Sequence, residues 1–128
     1  MKARNYEATW RGERLTLVPD AFLDFHVILP EGGKRRVPWL LEHDCDSERG
    51  EGFLKKVKAN AGMYASGIYE DWFGVKSVRV AFSTFRGEQR REYMRRRIRE
   101  ELRDEPRLLS RFVVTVASSP PDPYHLWL

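Results

Sequence analysis

The string Pro30-Glu-Gly-Gly33 stands between two runs rich in apolar, β-branched and aromatic residues, and this constrains the chain more than any other feature. Such a turn predicts an antiparallel hairpin, one strand over about 21–29 and its partner over 37–44. Pro38 has no N–H to give to a ladder and predicts that the second strand begins there.

The rest of the chain is read around that hairpin. Residues 6–10 predict a short strand followed by a turn at Arg11-Gly12-Glu13. Asp46-Ser47 offers a helix N-cap, and Leu54, Val57, Ala61, Ala65 and Ile68 recur at the spacing of a helix over 52–68. Gly74 ends that stretch. A strand over 78–82 follows, then a helix over 87–104 with Met94, Ile98 and Leu102 as its apolar stripe, stopped by Pro106. A last apolar strand over 112–117 leads into an irregular tail, Pro120-Pro121-Asp122-Pro123, that ends near Trp127. The order β-β-β-α-β-α-β predicts an α/β domain: a mixed sheet with helices on its faces, strand 37–44 interior and helix 52–68 packed directly on it.

With 128 residues, 41% of them hydrophobic, residues 1–128 suit a single domain with one real core. Cys45 is the only cysteine, so an internal disulfide and a cysteine zinc site are excluded. The polar stretch 1–14 lacks a signal core, and no apolar run approaches the ~20 residues of a membrane span. The chain therefore reads as soluble and cytoplasmic, with no membrane partner.

The net charge is only +4, but its distribution is uneven. Between Arg86 and Arg107 lie nine arginines and no lysine, interleaved with six acids. A helix laced with both signs is usually a solvated face. Arginine's planar fork also suits phosphate, which makes DNA the expected partner, with Arg86, Arg90, Arg91 and Arg95 as candidate backbone contacts.

Three acids fall at the hairpin's ends. Asp20 follows Pro19 at the start of the first strand, and Glu42 and Asp44, two residues apart, share one face of the second. Carboxylates gathered there would repel unless a cation sat among them, and their hard oxygens suit Mg²⁺ or Mn²⁺. The alternative is ordinary: acids at strand ends serve as turn and cap residues. His43 lies on the opposite strand face and reads as a packed histidine, while His26 and His125 have no evident partner.

The strings Leu17-Val-Pro-Asp-Ala-Phe, Leu40-Leu-Glu-His-Asp-Cys-Asp-Ser-Glu48 and Lys56-Val-Lys-Ala-Asn-Ala-Gly-Met-Tyr64, then Ser66-Gly67, resemble the replication-relaxation family of plasmids and integrative elements. Arg90 with Met94 and Ile98, and the closing Trp127, fit that pattern. Asp46 stands where the family has Gly, Ser47 where it has Thr, and Asn60 where it has Tyr. The core also resembles the PD-(D/E)xK nuclease superfamily, whose hairpin carries Pro-Asp and then an acid-x-Lys, and a restriction-endonuclease-like core is what that resemblance implies. Pro19-Asp20 and Glu42 match; position 44 is Asp rather than Lys. In the superfamily that lysine can migrate to a neighbouring helix, which nominates Lys56, with Lys55 and Lys58 as substitutes. Glu7 or Glu13 would be a further upstream acid.

The resemblance implies a nuclease-like domain that processes or binds DNA for a mobile element. Asp20, Glu42 and Asp44 would hold Mg²⁺ or Mn²⁺ and Lys56 would assist phosphodiester chemistry. A winged-helix segment often precedes the family's core, so a separate DNA-addressing chain or a homodimer is an expected partner. The rival expectation is a catalytically inactive DNA-binding or protein-interaction module of the same fold.

Overall fold

The computed structural model describes residues 6–17, 19–44, 50–74 and 78–116. The expected cap at Asp46-Ser47, Cys45, His125, the tail and Trp127 lie outside the described residues, as does the side chain of Asp44.

Strands β1 (Tyr6–Trp10) and β2 (Glu13–Leu17) pair as a hairpin and form a two-stranded sheet of their own. Arg11 at φ 49° and Gly12 at φ 83° make the turn. Strand β2 corrects the expected order, which has no strand between residue 10 and residue 21. Its alternation of buried Leu15 with exposed Arg14 and Thr16 is a short period-two signal.

The main sheet has the order β3-β4-β5-β6, from β3 (Ala21–Ile28), β4 (Lys34–Asp44), β5 (Arg79–Thr84) and β6 (Phe112–Val116). β3 runs antiparallel to β4, and β4, β5 and β6 run parallel. The strand containing 37–44 is interior, as its near-continuous apolar character predicts. It begins at Lys34 rather than at Pro38. Pairing with β5 starts only at Trp39, so the missing N–H of Pro38 removes nothing from that ladder.

Among the described residues four helices accompany the sheets: α1 (Gly50–Ser66), α2 (Ile68–Phe73), α3 (Glu88–Glu101) and α4 (Pro106–Leu109). The single helix expected over 52–68 divides at Gly67, whose φ of 73° lies in the left-handed region. Pro106 begins α4 as an N-terminal helical residue instead of merely stopping α3.

One face of the main sheet, with Leu40, Val80, Phe82 and Val114, packs against Phe53 and Val57 of α1 and against Met94, Ile98 and Leu102 at α3 and its C-terminus. The rings of Phe53 and Phe82 meet edge-on at 5.1 Å, which seats α1 on the sheet. The opposite side of α1 carries the β1–β2 hairpin, whose Ala8, Trp10 and Leu15 join the same core. A helix enclosed on two sides needs small residues, and Ala59, Ala61 and Gly62 provide them. A Cβ on Gly62 would lie 2.6 Å from the Thr9 carbonyl oxygen, so backbone approaches backbone there. This explains why the narrow stripe expected from 3–4 spacing is too small: Phe53, Ala59, Asn60 and Met63 are buried and Ala65 is exposed. On the other sheet face, Trp39 and Ala81 form a second cluster with Leu23, Phe25, Val37, Leu41 and Val113. Among the described residues no helix is long and apolar enough to cross a membrane.

Candidate functional site

The alternation of β4 sends Leu40 and Glu42 towards α1 and sends Trp39, Leu41 and His43 to the other face. Glu42 is fully buried, and both carboxylate oxygens are enclosed. An ionised carboxylate at that depth is tolerated only beside compensating charge. Lys56, one turn into the buried part of α1, brings Nζ to 4.0 Å from Glu42 Oε2 and donates to the His43 carbonyl at 3.4 Å. Of the three lysines that sequence nominated, geometry brings Lys56 to the acid. Lys58 is ion-paired with Glu13 at 3.1 Å, and Lys55 is exposed.

Asp20 engages the backbone of His43 as well. The pairing of Ala21 with Leu41, carried one residue further, sets Asp20 beside Glu42. The Asp20 N–H donates to Leu41 O at 3.2 Å, and Asp20 Oδ2 accepts the His43 N–H at 2.6 Å. The backbone N–H and C=O of His43 are thus taken by Asp20 and Lys56. The His43 imidazole lies on the far face, with Nδ1 2.9 Å from Ser83 Oγ and its ring edge-on to Phe85.

Behind Lys56 stands a buried polar pair. Tyr69 O–H donates to Asn60 Oδ1 at 2.7 Å, and Asn60 Nδ2 donates to the Lys56 carbonyl at 2.9 Å. Burial holds the Tyr69 hydroxyl well above the usual tyrosine range, and Tyr64 and the negative charge of Glu42 push the same way. Sequence reasoning noted Asn60 only as a departure from a pattern. The available signal was a polar residue set between the buried positions Val57 and Ala61.

Asp20 and Glu42 are hard oxygen donors of the kind magnesium takes alongside waters and phosphate oxygens. In kind they fit; in access Glu42 does not, because its enclosed oxygens leave no room for those waters. Among the described residues no group of three His, Cys, Asp or Glu side chains is placed to hold a metal ion. The convergence expected of Asp20, Glu42 and Asp44 therefore rests on a side chain outside the described residues. Glu7 is paired with Arg14 at 2.8 Å on the small hairpin and Glu13 with Lys58, so neither joins the cluster.

The candidate DNA contacts divide among three settings. Arg86 is exposed in the turn after β5, its N–H bonded to Thr84 Oγ1 at 3.1 Å. Arg90 faces inward, its guanidinium 5.0 Å from the Tyr93 ring and 5.9 Å from that of Phe53. Arg91 and Arg95 are each 3.0 Å from an acid one turn back, Glu88 and Glu92. Much of the arginine run is thus a self-neutralised helix face. No family model, no curated protein and no solved structure matches the chain.

Proposed function

We propose that the chain is a DNA-handling domain of nuclease-like, restriction-endonuclease-like architecture, akin to the replication-relaxation family, with Asp20, Glu42 and Lys56 as its candidate centre. The observation that carries this reading is the gathering of two acids from a hairpin and one lysine from the next helix beside the backbone of His43, Asp20 on its N–H and Lys56 on its carbonyl and against Glu42. Lysine beside an acid at a strand end is the arrangement in which an ammonium can steady charge on a phosphodiester oxygen. Dependence on Mg²⁺ or Mn²⁺ belongs to this reading, with Asp20 and Asp44 as ligands and the enclosed Glu42 contributing its charge, as do a DNA-addressing partner chain or a second copy.

A specific observation favours the second reading, a catalytically inactive DNA-binding or interaction module. Glu42 is enclosed and ion-paired, and Asp20 is spent on an amide, so both acids have structural employment.

Calorimetric titration with Mn²⁺, paired with cleavage assays on supercoiled plasmid, separates the two. The first reading expects metal binding that weakens in Asp44→Asn and nicking that disappears in Lys56→Ala. Absence of both in the folded wild type leaves the inactive module.

A further inference from the structure

Between α3 and β6 lies a cavity of about 310 Å³, walled on one side by Arg91, Arg95 and Arg99 and on the other by Leu109, Phe112 and Val114. The arginines recur every four residues, so they stack along one helix face at about 6 Å intervals. Like charges at that spacing destabilise a helix unless acids lie between them. For the first two they do: Glu88 and Glu92 each stand three residues before their arginine at 3.0 Å. The pattern then breaks. The position three before Arg99 is Arg96, itself directed at Glu100 from 4.0 Å. Arg99 is exposed and makes no ion pair or hydrogen bond among the described residues.

Uncompensated charge beside a cavity, where the neighbouring turns neutralise theirs, is the local inconsistency expected of a binding site. Arg91 closes one end, its Nε donating to Val114 O at 3.2 Å across the outer edge of β6. What remains is a guanidinium fork above an apolar floor. The fork matches phosphate geometry, and a flat apolar body matches the floor. The volume is at the lower limit of small-ligand pockets. It admits one nucleotide and excludes a duplex.

We propose that this cavity takes one unstacked nucleotide of single-stranded DNA, its phosphate on Arg95 and Arg99 and its base against Leu109, Phe112 and Val114. The choice of DNA as the polymer rests on the function proposed above, whereas the nucleotide pocket is independent of any chemistry at Glu42.

The test uses the full chain with deoxythymidine 5′-monophosphate, thymidine, inorganic phosphate, a single-stranded oligothymidylate and a duplex, read by calorimetry and fluorescence anisotropy. Arg99→Ala is compared with Arg103→Ala, an exposed arginine one turn beyond the cavity, each checked for folding by circular dichroism. The monophosphate is expected to bind more tightly than thymidine or phosphate, and the single strand more tightly than the duplex. Arg99→Ala should weaken both favoured ligands roughly 10- to 100-fold, and Arg103→Ala less than about threefold. Phosphate binding as tightly as the monophosphate, or equal effects of the two variants, overturns the proposal. Oligonucleotide binding that ignores Arg99 also overturns it and leaves the DNA reading standing. Arg99-dependent binding of the monophosphate without any binding of DNA upholds the pocket and overturns the DNA reading.

Discussion

Glu42 is held at a depth where its charge must be answered, and Lys56 stands 4.0 Å from its carboxylate. Replacing Lys56 with Met should cost about 2 kcal/mol or more in urea unfolding. The double variant Glu42→Gln, Lys56→Met should recover most of that loss, which a double-mutant cycle measures. Two enclosed tyrosine hydroxyls offer a contrast at the same scale. Tyr69 bonds Asn60, whereas the buried Tyr64 hydroxyl has no hydrogen bond among the described residues. Tyr69→Phe should therefore cost roughly 1–2 kcal/mol and Tyr64→Phe should stay within about 0.5 kcal/mol of wild type. Burial raises both hydroxyls from the ordinary value of 10.0 in the folded state. The folded protein keeps protons that the unfolded chain releases, so this contribution is complete below about pH 10 and is lost as pH rises beyond it. Chemical denaturation followed from pH 8 to 11 should show that decline, and Tyr69→Phe should flatten it.

At the scale of elements, α1 is decided by what encloses it. A lone amphipathic helix on a sheet would tolerate alanine at Gly62 and gain about 1 kcal/mol of helix propensity. Here the added methyl meets the Thr9 carbonyl oxygen at 2.6 Å, and backbone cannot swing aside as a side chain can. Gly62→Ala should therefore lower stability by about 2 kcal/mol, seen as a reduced urea midpoint. Helix α3 is the opposite case. Its Glu–Arg pairs are largely exposed, and Glu92→Gln should change stability by less than about 0.5 kcal/mol. The four-residue spacing of Met94, Ile98 and Leu102 is sufficient to find the buried face of α3, because all three fall in the main core. Helical periodicity is too narrow for α1, since it reports one buried face and α1 has two.

For the whole molecule, the proposed partner makes a prediction about salt. Arginines released from local acids are few, so DNA affinity should be modest, yet each phosphate contact releases counterions. Raising NaCl from about 50 to 200 mM should weaken binding at least tenfold in an anisotropy titration. Affinity that does not move with salt would count against DNA as the partner. What sequence alone determined is local: the hairpin around Pro30–Gly33, the interior strand that carries Glu42, and the arginine helix. Turn chemistry, alternation and charge spacing act over a few residues and can be read there. Tertiary structure alone decided that β1 and β2 form a separate sheet against α1, that Lys56 rather than Lys58 reaches Glu42, and that Arg99 borders a cavity with β6. Each depends on elements distant in the chain being packed together, and packing follows from shape and burial summed over the molecule, which no local pattern records.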